Sequence, residues 1–186
     1  MISICWWVMT THTYTNNYST YANDNGVMKR IVHELAISNN VSIAYIDSKL
    51  AKAIQKDKGF YSVEGVYIEK GSLLIHENDV DHFHLVLHEL LHILSVPQQF
   101  RYLMDQDTQE SYKNIKHRFN YDDKQRICTE SAVLGAHHLI CKYYNYKCSI
   151  KGQFFTGTIY DSDSLTDVKP EWIERGRLLL KSIFWL

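Results

Sequence analysis

The sequence predicts an α+β fold in one domain: a small mixed or antiparallel sheet, then a helix carrying His88-Glu89-Leu90-Leu91-His92, then a mainly helical C-terminal half. Three observations predict it. Runs of β-prone residues fall between positions 41 and 76, and apolar residues recur at steps of three and four in the segments beyond. The length of 186 residues, 45% of them apolar, suffices for a real core yet lies within the usual span of one domain. Only Pro97 and Pro170 occur and no Gly/Ser-rich linker divides the chain, so the domain is expected to run from 24 to 186.

Residues 1–23 stand apart from it. Met1 to Met9 is apolar but short, without a basic leader or a small-residue cleavage site, and reads as neither signal peptide nor membrane span. The Thr/Asn/Tyr-rich stretch 10–23 buries little aliphatic surface, so this segment is expected to be loosely ordered.

Asp24 can cap a helix to about Ser38, with Val27, Ile31, Val32 and Leu35 on its buried face. Val41 to Ile46 reads as a strand, and Ser48 opens a short helix to about Gln55. Two further β-prone runs, 60–69 and 72–76, flank Lys70-Gly71, a pair suited to a two-residue hairpin turn. Asp79 or Asp81 then caps the motif helix, which Val80, Leu85, Leu87, Leu91 and Leu94 carry to Val96. It stops there because Pro97 disfavours helical geometry in the residue before it. A polar connection with a short helix near 108–117 leads to a long helix from Asp122 or Asp123 to about Tyr146. The last helix starts near Pro170, a favourable first-turn position, with Trp172, Ile173, Leu179, Leu180, Ile183 and Phe184 on or near an apolar face.

Composition narrows the function. Twenty basic residues against twenty-one acidic ones give no electrostatic footprint for nucleic acid or an anionic membrane. Cys5, Cys128, Cys141 and Cys148 follow no CxxC spacing and read as free thiols of a reducing compartment, hence a cytoplasmic protein.

The chemistry is concentrated between His88 and His92. Four residues of helix turn about 400°, so two histidines at that separation project from one face and can share an ion. Glu89 lies about 100° round the helix from His88, near enough to reach a metal-activated water without ligating the metal, as a general base must. Ten His and nine Glu in this length give about 0.03 accidental HExxH matches, so chance is a poor explanation. The bland alternative, two core histidines beside a solvated Glu89, has to bury two imidazoles in LVLHELLHIL without an evident partner.

A zinc site of this kind takes a third protein ligand and keeps one position open. Glu130 is the first choice. Ile127, Glu130, Leu134, His137, Cys141 and Tyr144 share one stripe of the long helix, and a carboxylate in an apolar stripe needs compensating charge. Ser131, Ala132, Gly135 and Ala136 are expected to let this helix pack closely against the motif helix. The alternatives are an ordinary amphipathic helix with Glu130 paired to Lys124 or Arg126, Glu110 as the ligand, or His137 as ligand or supporting donor. His82 and His84 either line the cleft or belong to a partly exposed first turn. His33-Glu34 repeats part of the motif without a second histidine and reads as incidental.

The stretch GVYIEKGSLLIHENDVDHFHLVLHELLHIL, residues 65–94, resembles the zincin metallopeptidases, particularly the compact ImmA/IrrE-like group and related antirestriction-associated metallopeptidase domains. The downstream ESAVLGAHHL is similar to the helix from which those families draw their third ligand. The resemblance covers roughly 60–145. It implies a zincin-like fold, Zn2+ bound by His88, His92 and Glu130, Glu89 as general base, and a protein or peptide substrate received as an added strand at a sheet edge. Metal-assisted amide hydrolysis follows from it, with Tyr112, Tyr121, Tyr143, Tyr144 and His117 all open as oxyanion donors. Two other classes share the residues: a non-haem iron protein hydroxylase with Fe2+ on the same His/His/Glu set, and a non-catalytic binding or inhibitor module with a structural metal, against which an intact Glu89 argues.

Overall fold

The computed structural model describes residues 25–58, 65–77, 83–105, 113–115, 117–118, 130–144 and 169–184. The expected N-terminal segment, the caps at Asp24, Asp79 and Asp81, residues 60–64 of the run 60–69, and the start of the long helix at Asp122 or Asp123 lie outside these residues, as do Glu110, Lys124, Arg126 and Ile127.

Helix α1 spans Asn25–Ser38. It buries Met28, Ile31, Val32, Leu35 and Ala36, a spacing that keeps one face against the core. Asn40 ends it with φ 56°, a left-handed conformation that Asn tolerates, while Val41 N–H closes back on the Ala36 carbonyl at 2.9 Å. That closure takes Val41 out of the sheet, so strand β1 is Ile43–Ile46 and not the six residues expected. Helix α2, Ser48–Lys58, is capped by Asp47, whose carboxylate accepts the Leu50 N–H at 2.8 Å; the capping residue is the one before Ser48.

Strands β2, Val66–Glu69, and β3, Ser72–His76, form the expected hairpin. Lys70 and Gly71 both have positive φ, 50° and 72°, the combination that a two-residue type I′ turn requires. Gly71 meets a second demand, because a Cβ there would collide with the Arg101 carbonyl. The sheet order is β1-β3-β2: β3 pairs antiparallel with β2 and parallel with β1, in register Ile43 with Leu73 through Ile46 with His76. The sheet is therefore mixed.

Helix α3, Phe83–Leu94, carries the motif. Phe83, Val86, Leu87, Leu90, Leu91, Ile93 and Leu94 are all buried, too many for one face of a surface helix. The reason is its position: β2 and β3 lie against one side, α1 and the later helix α4, Glu130–Tyr143, against others. A 3₁₀ turn, Gln98–Leu103, follows Pro97 directly, where the sequence reading placed only a polar connection. Arg101 holds it to the body of the protein, donating to the Val96 carbonyl at 2.8 Å and the Asn39 carbonyl at 2.6 Å. Gly71 N–H donates to the Met104 carbonyl at 2.8 Å and Lys70 N–H to Asp105 at 3.1 Å, which ties the hairpin tip to the segment after α3.

Helix α4 is described over Glu130–Tyr143 and α5 over Pro170–Phe184. Pro170 occupies the first turn of α5, and Lys169 accepts the Trp172 N–H at 2.9 Å. Gly176, Leu179 and Ile183 are buried, with Trp172, Ile173, Leu180 and Phe184 half-buried beside them. Gly135 of α4 and Gly176 of α5 mark the crossing, since a Cβ on either would run into backbone of the other helix. The small residues of α4 were expected to face α3; at Gly135 the close approach is to α5 instead. No helix among the described residues is long and apolar enough to cross a membrane.

Candidate metal centre

Two histidines four residues apart on an almost wholly buried helix have to direct their nitrogens at something. His88 and His92 are 5% and 3% exposed, and their rings meet edge to face with centroids 4.7 Å apart. Their Nε2 atoms lie 3.1 Å from each other. The third group at this point is Glu130, from the described N-terminal end of α4: its Oε1 is 2.9 Å from His92 Nε2 and its Oε2 3.3 Å from His88 Nε2. The structure thus brings together the three residues singled out as ligands, across the α3–α4 interface.

This cluster cannot be satisfied well by protons alone. A neutral imidazole carries one N–H, and each of these two Nε2 atoms faces both the other nitrogen and a carboxylate oxygen. If both donate to Glu130, two N–H groups are directed at one another; if one gives up its proton, a lone pair faces the carboxylate. A cation at the point of convergence accepts all three lone pairs. Bonds of about 2.0–2.1 Å in a tetrahedral zinc site put N and O ligands about 3.3–3.4 Å apart, so the observed separations need to widen by only a few tenths of an ångström. The donor set therefore fits zinc.

Burial would raise the Glu130 carboxyl, but hydrogen bonds from His88 and His92 outweigh it and hold the group well below the usual carboxylate range. Its side chain is 45% exposed overall, so the site opens to solvent on the α4 side. Ser95 Oγ donates to the His92 carbonyl at 2.5 Å and secures the helix end behind that ligand. Glu89 is half-buried on α3, one position on from His88.

Of the oxyanion donors considered, Tyr143 and Tyr144 are ruled out by position. They lie about 20 Å along α4 from Glu130 at 1.5 Å per residue. Tyr143 is 58% exposed, and Tyr144, half-buried, feels Glu34 and Arg30 of α1. His117 is exposed, while Tyr112 and Tyr121 lie outside the described residues. His33 bonds Tyr45 across the surface at 2.8 Å and takes no part in the centre. His137 is not a ligand here; it is fully buried and pairs with His84, Nε2 to Nδ1, at 3.0 Å. Burial pushes its pKa down, partly opposed by neighbouring Cys141, so the ring is neutral. No family model, curated protein or solved structure matches this chain.

Proposed function

We propose that the chain is a zinc-dependent metallopeptidase acting on a protein or peptide. The observation that carries this reading is the convergence of His88, His92 and Glu130 on one point, with Glu89 on the same helix and not used as a ligand. A purely structural site has no need of a carboxylate beside it. Zinc held there supplies Lewis-acid polarisation of the scissile carbonyl and acidifies the attacking water. Glu89 takes the proton from that water and delivers it to the leaving nitrogen as the C–N bond breaks. Glu130, ionised as a ligand, offsets part of the cation's charge and fixes α4 against α3. Its partial exposure leaves an approach for a polypeptide. The zincin-like fold belongs to this reading, and the buried Cys141 thiol accords with a reducing, cytoplasmic setting.

Two variants assayed on fluorescent casein and a mixed peptide library test it. Glu89→Gln is expected to keep metal content and melting temperature while hydrolysis falls by roughly 10²- to 10⁴-fold, the range for losing a general base. His88→Ala is expected to lose metal and activity together. Hydrolysis retained at wild-type rate by Glu89→Gln would sink the peptidase reading. Iron in place of zinc in protein purified without added ions, with oxygen-dependent turnover, would favour the hydroxylase.

A further inference from the structure

The α3–α4 interface has two facing rows of metal-ligating side chains, and the proposed catalytic centre uses only half of them. On α3, His84, His88 and His92 recur every four residues; on α4, Glu130 is followed on the same stripe by His137 and Cys141. The helices run so that His88 and His92 meet Glu130 while His84, one turn back, meets His137 and Cys141.

This second cluster is more deeply buried than the first. His137 is fully buried and Cys141 is 1% exposed, with His84 half-buried at the mouth. The His84 and His137 rings stack at 5.2 Å between centroids and 23° between planes. One donor atom from each of the three residues lies within 4.8 Å of the others. His137 Nδ1 is buried with no hydrogen-bond partner, so a polar ring sits in the core satisfied on one nitrogen only. The nitrogen turned to His84 is Nε2. The 3.0 Å imidazole–imidazole hydrogen bond and the hydrogen bond between His137 and Cys141, one turn on, bring all three side chains to one point.

We propose that His84, His137 and Cys141 form a second metal site, one helical turn from the His88/His92/Glu130 centre, which takes a thiophilic divalent cation of the zinc type. Two imidazoles and a thiolate are a borderline-to-soft donor set that suits zinc and disfavours magnesium or calcium. Binding deprotonates the Cys141 thiol, and the proton passes to solvent. The site lies inside the helix interface, so its role is to brace α3 against α4 beside the catalytic centre, not to handle substrate. It uses none of the residues of the proposed catalytic site and stands whether or not that site is a peptidase.

The sulfur makes the test specific. Whole protein stripped by chelator is titrated with Co2+, following bound equivalents and the near-ultraviolet thiolate-to-cobalt charge-transfer band, which the His88/His92/Glu130 centre cannot produce. Wild type is expected to bind two equivalents and show the band. Cys141→Ser should bind one and lose it, and His84→Ala, altered at the half-buried end, gives the same result if the serine variant fails to fold. His88→Ala should keep the band while losing the other equivalent, so failure of the catalytic centre is distinguishable from failure of this one. A single equivalent without the band in wild type, or a band that survives in both Cys141→Ser and His84→Ala, overturns the proposal.

Discussion

Glu130 is the residue on which the reading of the centre turns, because His88 and His92 share a helix and require no long-range packing to meet. Among the described residues, only Glu130 brings a second element to the same point. Removing it leaves two imidazoles whose Nε2 atoms crowd each other at 3.1 Å and which have lost their carboxylate partner. Glu130→Ala is therefore expected to weaken zinc binding by more than the roughly 10- to 100-fold typical of losing a partner that merely supports a ligand. Competition with a chelating dye measures it. Full affinity in this variant would transfer the third ligand to Glu110. The His88/Glu89/His92 set was legible in the sequence from spacing alone, and Glu130 from the anomaly of a carboxylate in an apolar stripe. The His84/His137/Cys141 cluster was not, although each residue had been noted. What joins them is the direction and register of α4 against α3, which is a tertiary fact that neither helix's periodicity contains.

Elements show the same limit. The hairpin at Lys70-Gly71 and the face of α1 were readable because they are local: a turn that needs positive φ, a stripe at helical spacing. The parallel pairing of β1 with β3 was not, since a four-residue strand carries no signal for its partner's direction. Nor was the use of the small residues in α4. Gly135 lies where α5 crosses, and a Cβ there would enter the carbonyl of Trp172, backbone that cannot move aside as a flexible side chain would. Gly135→Ala gains about 1 kcal/mol of helix propensity. Overpacking typically costs 1–3 kcal/mol, and collision with backbone belongs at the upper end of that range, roughly 3 kcal/mol. The net expectation is a loss of about 2 kcal/mol, measurable by urea unfolding. A variant as stable as wild type would mean that α4 and α5 do not cross at these glycines.

At the scale of the whole molecule, the centre lies where α3 meets α4 inside one continuous core. α3 packs against α4, α1 and the sheet, and α4 makes its most extensive contacts with α5. The α3–α4 interface between them contains His88, His92 and His137, all buried, so burial there contributes less than it would with aliphatic residues. An ion that converts these polar groups into ligands ties α3 to α4 and contributes its binding free energy to folding. At free zinc about 1,000 times the dissociation constant the gain is about 4 kcal/mol per site. For a domain of this size each kcal/mol moves the midpoint by about 2–4 °C, so zinc at the His88/His92/Glu130 centre is expected to contribute roughly 8–16 °C to the rise in melting temperature of the stripped protein, in addition to what the His84/His137/Cys141 site contributes. Differential scanning fluorimetry with and without chelator reads it. Glu89→Gln should retain the whole shift, because the base contributes nothing to holding the ion, and His88→Ala should lose the share that belongs to its own centre. An unchanged midpoint in wild type at saturating zinc would show that the fold gains nothing from the ion.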